Sequence, residues 1–189
     1  MTIELANKPK GDYSIIEGDD YTVTAIGAYA FAPINDIGNI TQEELEYLAS
    51  IINGDIDYGP TNIEVPETLL TIGDGAFMYC TNSVNIDLNI CKNLLSIGVG
   101  AFTGYYSLLS ITIPENVNTI GRAAFSDLHY DHIVVLNSSY VYLNYLSGAL
   151  FSTATTVRVL ASIDDGSNTY LNDNFTKTTE GEYNVYTKN

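Results

Sequence analysis

Tryptophan is absent from this 189-residue chain, cysteine occurs twice, proline five times, and 7 basic residues stand against 23 acids. Each scarcity removes a class of protein. Two cysteines are too few for a secreted scaffold held together by disulfides. The shortage of Lys and Arg, at a formal net charge of −16, removes the clustered cations needed to bind phosphate backbones or anionic lipid. Nucleic acid is therefore excluded as a partner. The charge suits solubility, cationic partners or loosely held divalent ions. No apolar run approaches the ~18 residues of a membrane span, so no membrane insertion is expected. The start, "MTIELANKPKGDY", has neither the basic head nor the apolar stretch of a secretory signal. The chain is accordingly expected to be cytoplasmic or virion-borne, or to be a mature segment restarted at Met1.

What the chain does have is apolar content, 46% against 16% charged residues, enough for a sizeable core in one domain or one elongated array. It also has a recurring phrase. "LLTIGDGAF" (69–77), "LLSIGVGAF" (94–102) and "VNTIGRAAF" (117–125) are variants of one segment. Aligned on Ile-Gly-x-x-Ala-Phe, copies stand at Ile26–Phe31, Ile72–Phe77, Ile97–Phe102 and Ile120–Phe125, with steps of 46, 25 and 23 between the isoleucines. A worn copy follows at Leu146–Phe151. The first step is twice the others, which reads as one degenerate or replaced unit. Self-similarity at 20–30 residues is the mark of a solenoid, whose turns bury their apolar sides only by stacking on one another.

Within a unit, "IEVPETLLTIG" (63–73) and "ITIPENVNTIG" (111–121) superimpose residue for residue. The leading apolar–polar alternation predicts a short strand with one buried face. Pro66 and Pro114 end it, because proline cannot continue a ladder. The following Ile points inward, Gly occupies a place where a β-carbon would obstruct, and Ala-Phe sends a small residue and a large ring into the interior. Phe31, Phe77, Phe102, Phe125 and Phe151 are expected to stack as one column. The middle unit, "VNIDLNICKNLLSIG", has two spare residues. Its strand is placed at Val84–Leu88 in preference to Leu88–Ile90. Cys80 aligns with Tyr105 and Leu128, which marks it as a buried thiol; a Cys80–Cys91 disulfide remains open.

The pattern Ile-x-Ile-Pro-x-x-Val-x-x-Ile-Gly-x-x-Ala-Phe-x-x-Cys resembles the BspA-like leucine-rich repeat of bacterial and protist surface antigens. "ITIPENVNTIGRAAF" carries it almost whole, and "AFMYC" supplies its cysteine at Cys80. The resemblance runs from about Tyr13 to Phe151. It implies a leucine-rich-repeat-like right-handed coil of the α/β horseshoe type, with a short parallel sheet and a turn-rich outer side. It also implies adhesion or protein binding at a cell surface and an extracellular setting, and it carries no catalytic residues. The chain is read as one domain. Residues 1–25 form an N-terminal cap and first strand, 26–151 the repeats with a helical insertion at 33–62, and 152–189 the last strand and a C-terminal cap. In that cap "EYNVYTKN" alternates like an edge strand, with Lys177 and Lys188 placed to discourage edge-to-edge pairing.

In the insertion, "TQEELEYLASII" (41–52) pairs Thr41 with Glu44 at capping-box spacing and sets Leu45, Leu48, Ala49 and Ile52 on one helical face. That face is expected to pack on the side of the repeats. Calcium is a side expectation. Asn53, Asp55, Asp57 and Glu64 fall at positions one, three, five and twelve of an EF-hand-like loop, but its glycine sits one place late at Gly59 and Pro60 intrudes. His129 and His132 in "DLHYDH" supply at most half of a zinc site. Asp19-Asp20 and Asp164-Asp165 read as turns. No phosphate loop, nucleophile elbow or zinc-type cysteine pair occurs, so no enzyme and no cofactor is expected.

Binding is expected along the strand residues that face outward in consecutive units, Glu64, Asp87, Thr112, Val134 and Arg158. A second expectation is the aromatic group Tyr140, Tyr142 and Tyr145 in "SSYVYLNYL", since tyrosine joins a large apolar face to a polar tip. The partner is a protein or glycan on a host or neighbouring cell surface. The rival reading is a structural subunit of a phage virion or filament.

Overall fold

The computed structural model describes residues 2–3, 12–14, 23–34, 37–82, 86–128, 133–138 and 154–189. Its early strands are β1 (Thr2–Ile3), β2 (Asp12–Ser14), β3 (Ala25–Ile26), β4 (Asn62–Glu64), β5 (Thr71–Ile72) and β6 (Ser96–Ile97). Then follow β7 (Ser110–Ile113), β8 (Thr119–Ile120), β9 (Ile133–Leu136), β10 (Thr156–Leu160), β11 (Phe175–Glu180) and β12 (Tyr183–Lys188). The helices are α1 (Gln42–Ile52) and α2 (Thr169–Asn174).

Each repeat contributes twice, so there are two rows of parallel strands rather than the single sheet the alternation suggests. Among the described residues, one row takes the Thr-Ile, Ala-Ile or Ser-Ile pairs, in the order β1-β3-β5-β6-β8. Its register stacks Ile26 on Ile72, Ile72 on Ile97 and Ile97 on Ile120. The other row takes the leading strand of each unit. There β2 pairs β4, Ile63 bridges Ile86, and β7, β9 and β10 run side by side. Proline follows β7 at Pro114 and stands two residues past β4 at Pro66, as its missing N–H requires. In the middle unit Ile86 does pair, within the expected Val84–Leu88. The spare residues wind into a 3-10 turn at Leu88–Ile90, capped by the Asp87 carboxylate accepting from Asn89 N–H at 2.9 Å.

Between the rows lies the phenylalanine column. Ring centroids of Phe31 and Phe77 are 5.0 Å apart, Phe77 and Phe102 5.2 Å, and Phe102 and Phe125 5.3 Å, with interplanar angles of 8°, 14° and 3°. This spacing lies close to the strand repeat of about 4.8 Å, within the range of offset-stacked rings. Phe151 lies outside the described residues. The backbone follows the same step. Phe31, Phe77 and Phe102 N–H groups donate to the carbonyls of Ala76, Ala101 and Ala124 at 2.8, 2.7 and 2.7 Å.

The glycine column explains why the step can be so short. A β-carbon on Gly98 would lie 2.5 Å from Asp74 N and from Gly73 C, and one on Gly121 2.3 Å from Val99 N. The constraint is backbone against backbone between neighbouring repeats, not a left-handed φ at the glycine itself. The left-handed position is two residues later, where Tyr29, Gly75, Gly100 and Ala123 have φ of 54°, 59°, 61° and 57°.

The interval of 46 is a single stacking step, which corrects the expectation of a replaced unit. β3 pairs β5 directly and Phe31 lies on Phe77, so no turn is missing between them. The segment whose described part is 37–61 is instead an insertion within one unit, since β2 also pairs β4 directly. Helix α1 starts where the capping box places it. Thr41 Oγ1 accepts from Glu44 N–H at 3.2 Å, and Glu44 Oε2 accepts from Thr41 N–H at 2.9 Å. Its packing face is not the expected one. Ile51 is buried and Leu48 packs on Ala32, Ile34 and Met78, whereas Leu45, Ala49 and Ile52 face outward. Tyr58 pins the return of the excursion, its hydroxyl donating to Ala32 O at 3.0 Å.

At the other end an antiparallel hairpin covers β10. The edge is β11, while β12, the expected edge strand, lies inside between β10 and β11. Asp164 fastens this cap. Its fully buried carboxylate takes Lys177 Nζ at 2.8 Å, Asn184 Nδ2 at 2.7 Å and Tyr186 OH at 2.9 Å. It is thus more than the turn residue its neighbourhood suggests, whereas Asp165 fits that reading, accepting from Ser167 N–H at 2.9 Å.

Gly98→Ala is expected to destabilise the chain by about 3 kcal/mol, because two repeats must separate to admit one methyl group. Gly54→Ala meets nothing within 4 Å and only inherits a φ of +79°, so it should cost about 1 kcal/mol. Urea unfolding of both variants checks the difference; equal losses would contradict the close-approach explanation.

Candidate functional site

The outward face of the leading strands is built by alternation. Inward positions are Ile63, Ile86, Ile111, Val134 and Val157, all buried. Their outward neighbours are Glu64 and Asp87, both exposed, then Thr112, Val135 and Arg158, all half-buried. Thr112 pairs with Val135 and Val135 with Arg158. Val134 is therefore a core residue, and the outward place expected for it belongs to Val135. The cause is the unbroken apolar run Ile133–Leu136, which erases the alternation that would have fixed the face; a slip of one residue then inverts it. Glu64, Asp87, Thr112 and Arg158 take the expected face. The row is interrupted between Asp87 and Thr112 by the 3-10 turn.

Arg158 is held by the C-terminal hairpin. Its Nη1 lies 3.2 Å from Glu180 Oε2, and its guanidinium carbon 5.2 Å from the centre of the Tyr183 ring. An ion pair this exposed is worth at most about 1 kcal/mol, so its effect is to orient the side chain rather than to stabilise the fold. Two residues further along their strands, Leu160 and Asn137 continue the rows of Arg158 and Val135 on the same face. There they line a cleft of about 400 Å³ together with Asn89, Lys92, Glu115, Glu182 and Tyr183. Lys92 Nζ donates to Asn89 Oδ1 at 3.0 Å and Tyr183 OH to Asn137 Oδ1 at 3.2 Å. The cleft offers amide, carboxylate, ammonium and phenol groups in one concavity, a set that matches hydroxyl-bearing or polar ligands.

The cleft was not legible as a motif, since the cap residues Glu182 and Tyr183 lie outside the repeat. A different surface feature was. In "ETLLTIG" and "KNLLSIG" the first leucine of each pair is buried and the second is exposed, Leu70 at 36% and Leu95 at 42%. Leu95 N–H donates to Leu70 O at 2.8 Å, which places the two on adjacent repeats. A core needs only Leu69 and Leu94, so the doubled leucine was the available signal.

Tyr140, Tyr142 and Tyr145 lie outside the described residues, as do His129 and His132. Tyr105 belongs to the core, and Tyr106 is exposed. Asp55 and Asp57 are exposed while Glu64 stands in β4. Among the described residues no three His, Cys, Asp or Glu side chains are placed to hold a metal ion, and no helix among them is long and apolar enough to cross a membrane.

Cys80 and Cys91 are buried free thiols. Cys80 Sγ donates to Phe31 O at 3.3 Å and Cys91 Sγ to Pro66 O at 3.5 Å, each reaching back one repeat. Burial, helped by the charges of Asp87 and Glu67, pushes the Cys91 thiol up to about 11. The folded state thus retains a proton that the unfolded state loses from pH 9 upward, so stability falls across pH 9 to 11. At pH 8 both thiols are expected to resist a thiol reagent until urea is added, and Cys91→Ala should flatten the alkaline loss. Rapid labelling of the native chain would contradict this burial.

No curated protein and no solved structure matches the chain. The profile of the BspA type leucine rich repeat region matches residues 16–129, in six copies. With its Ile-Gly-x-x-Ala-Phe turns stacked through paired parallel strands and one phenylalanine spine, the chain belongs to the BspA type leucine-rich repeat family.

Proposed function

We propose that this chain is a non-enzymatic binding or adhesion module of a surface protein, working as a curved, right-handed solenoid. Its partner is a protein or glycan on a host or neighbouring cell. The observation that carries the reading is the outward row Thr112, Val135 and Arg158 running into the polar cleft beside the C-terminal cap. Stacked repeats present such rows as extended platforms, with side chains held at fixed spacing by the ladder beneath. Membership of the BspA type family supports a binding role. The cleft favours a ligand with hydroxyl or charged ends, and the flanking Thr112 and Val135 supply a flatter contact.

The test is binding on glycan and protein arrays, repeated with Thr112→Ala/Val135→Ala and with Glu115→Gln/Asn137→Ala. A true ligand should lose at least about tenfold in affinity with one of these pairs, as residues central to a contact do. A ligand that ignores both pairs would show that the platform lies elsewhere.

A further inference from the structure

We propose that α1 is a second docking surface, distinct from the strand row, and that its occupant is a basic amphipathic segment of another protein. At 100° per residue, Ile51, Leu48, Ile52, Leu45 and Ala49 form one apolar arc, entered only by the capping-box Glu44 between Ile51 and Leu48. Only its first part reaches the body of the protein, where Ile51 is buried and Leu48 packs on the small cluster of Ala32, Ile34 and Met78. The remainder faces water, with Leu45 at 45% and Ile52 at 46% exposure. The ladder between β3 and β5 closes without the excursion, so the repeat architecture does not require this helix.

Charge identifies the occupant. From Gly11 through Cys91 the chain contains no Lys, Arg or His, while Asp and Glu recur throughout. Glu46 borders the open part of the arc, and the exposed Asp55 and Asp57 follow its carboxyl end. The last turn of α1 has no basic residue, so the partial negative charge of the helix terminus adds to theirs. An apolar strip with this border fits a helix that carries leucine-like residues on one face and Lys or Arg beside them. A second copy of the chain would bring two acidic segments together, and an anionic lipid surface would be repelled.

The test uses the full chain and two dye-labelled peptides of identical Leu and Lys content. In one the leucines repeat at i, i+3, i+4 and i+7; in the other they are scrambled around the helix. The patterned peptide should bind about tenfold more tightly than the scrambled one, and added salt should weaken it. Leu45→Ser/Ile52→Ser, at exposed positions, should reduce patterned-peptide binding about tenfold without shifting the thermal midpoint. Equal binding of both peptides would reduce the effect to bulk charge and overturn the proposal. So would full binding by the double variant, no binding at all, or light scattering showing that this face joins two copies of the chain.

Discussion

Everything in this molecule depends on how closely one repeat lies against the next at the Ile-Gly step. Gly73, Gly98 and Gly121 bring backbone against backbone, and the N–H groups of those glycines donate to the isoleucine carbonyls of the preceding repeat at 2.8–2.9 Å. With the chains at that distance the phenylalanines four residues downstream come into face contact. Each such ring pair adds about 0.5–1.5 kcal/mol beyond the apolar area it buries. The isoleucine rows and the ring column are thus consequences of one close approach. A side chain at the glycine would loosen both.

Nearest-neighbour stacking also accounts for what the fold tolerates. A repeat needs its ladder and its ring, and the loop between them can be of almost any length, since loop closure grows only slowly more expensive with size. Residues 33–62 use that freedom. They leave the stack after Phe31 and return under Tyr58, carrying a capped helix and a strongly acidic surface. The C-terminal hairpin continues the backbone ladder from β10 and is fastened further by the buried Asp164 carboxylate with Lys177, Asn184 and Tyr186.

The repeat, its inward isoleucines and the phenylalanine column could be read from the letters, because periodicity reports directly on what neighbouring turns share. The capping box of α1 was legible for the same reason, as a local rule satisfied within four residues. The second strand row was not, since a two-residue strand leaves no alternation to see. Nor was the face of β9, where Ile133–Leu136 is apolar throughout and Val134 and Val135 are interchangeable on paper. The helix's apolar arc was visible, yet which part of it meets the body depends on Ala32, Ile34 and Met78 arriving from elsewhere in the chain. The polar cleft joins residues from three repeats to a cap outside the period, a conjunction only folding creates.

Native-state hydrogen exchange tests the shared spine most directly. The amides of Phe31, Phe77, Phe102, Gly73, Gly98 and Gly121 all donate between repeats, so they should exchange through one cooperative opening, with a common free energy and a common denaturant slope. If Phe31 and Gly73, beside the inserted helix, opened independently of Phe102 and Gly121, the repeats would not share a single spine and the account would fail.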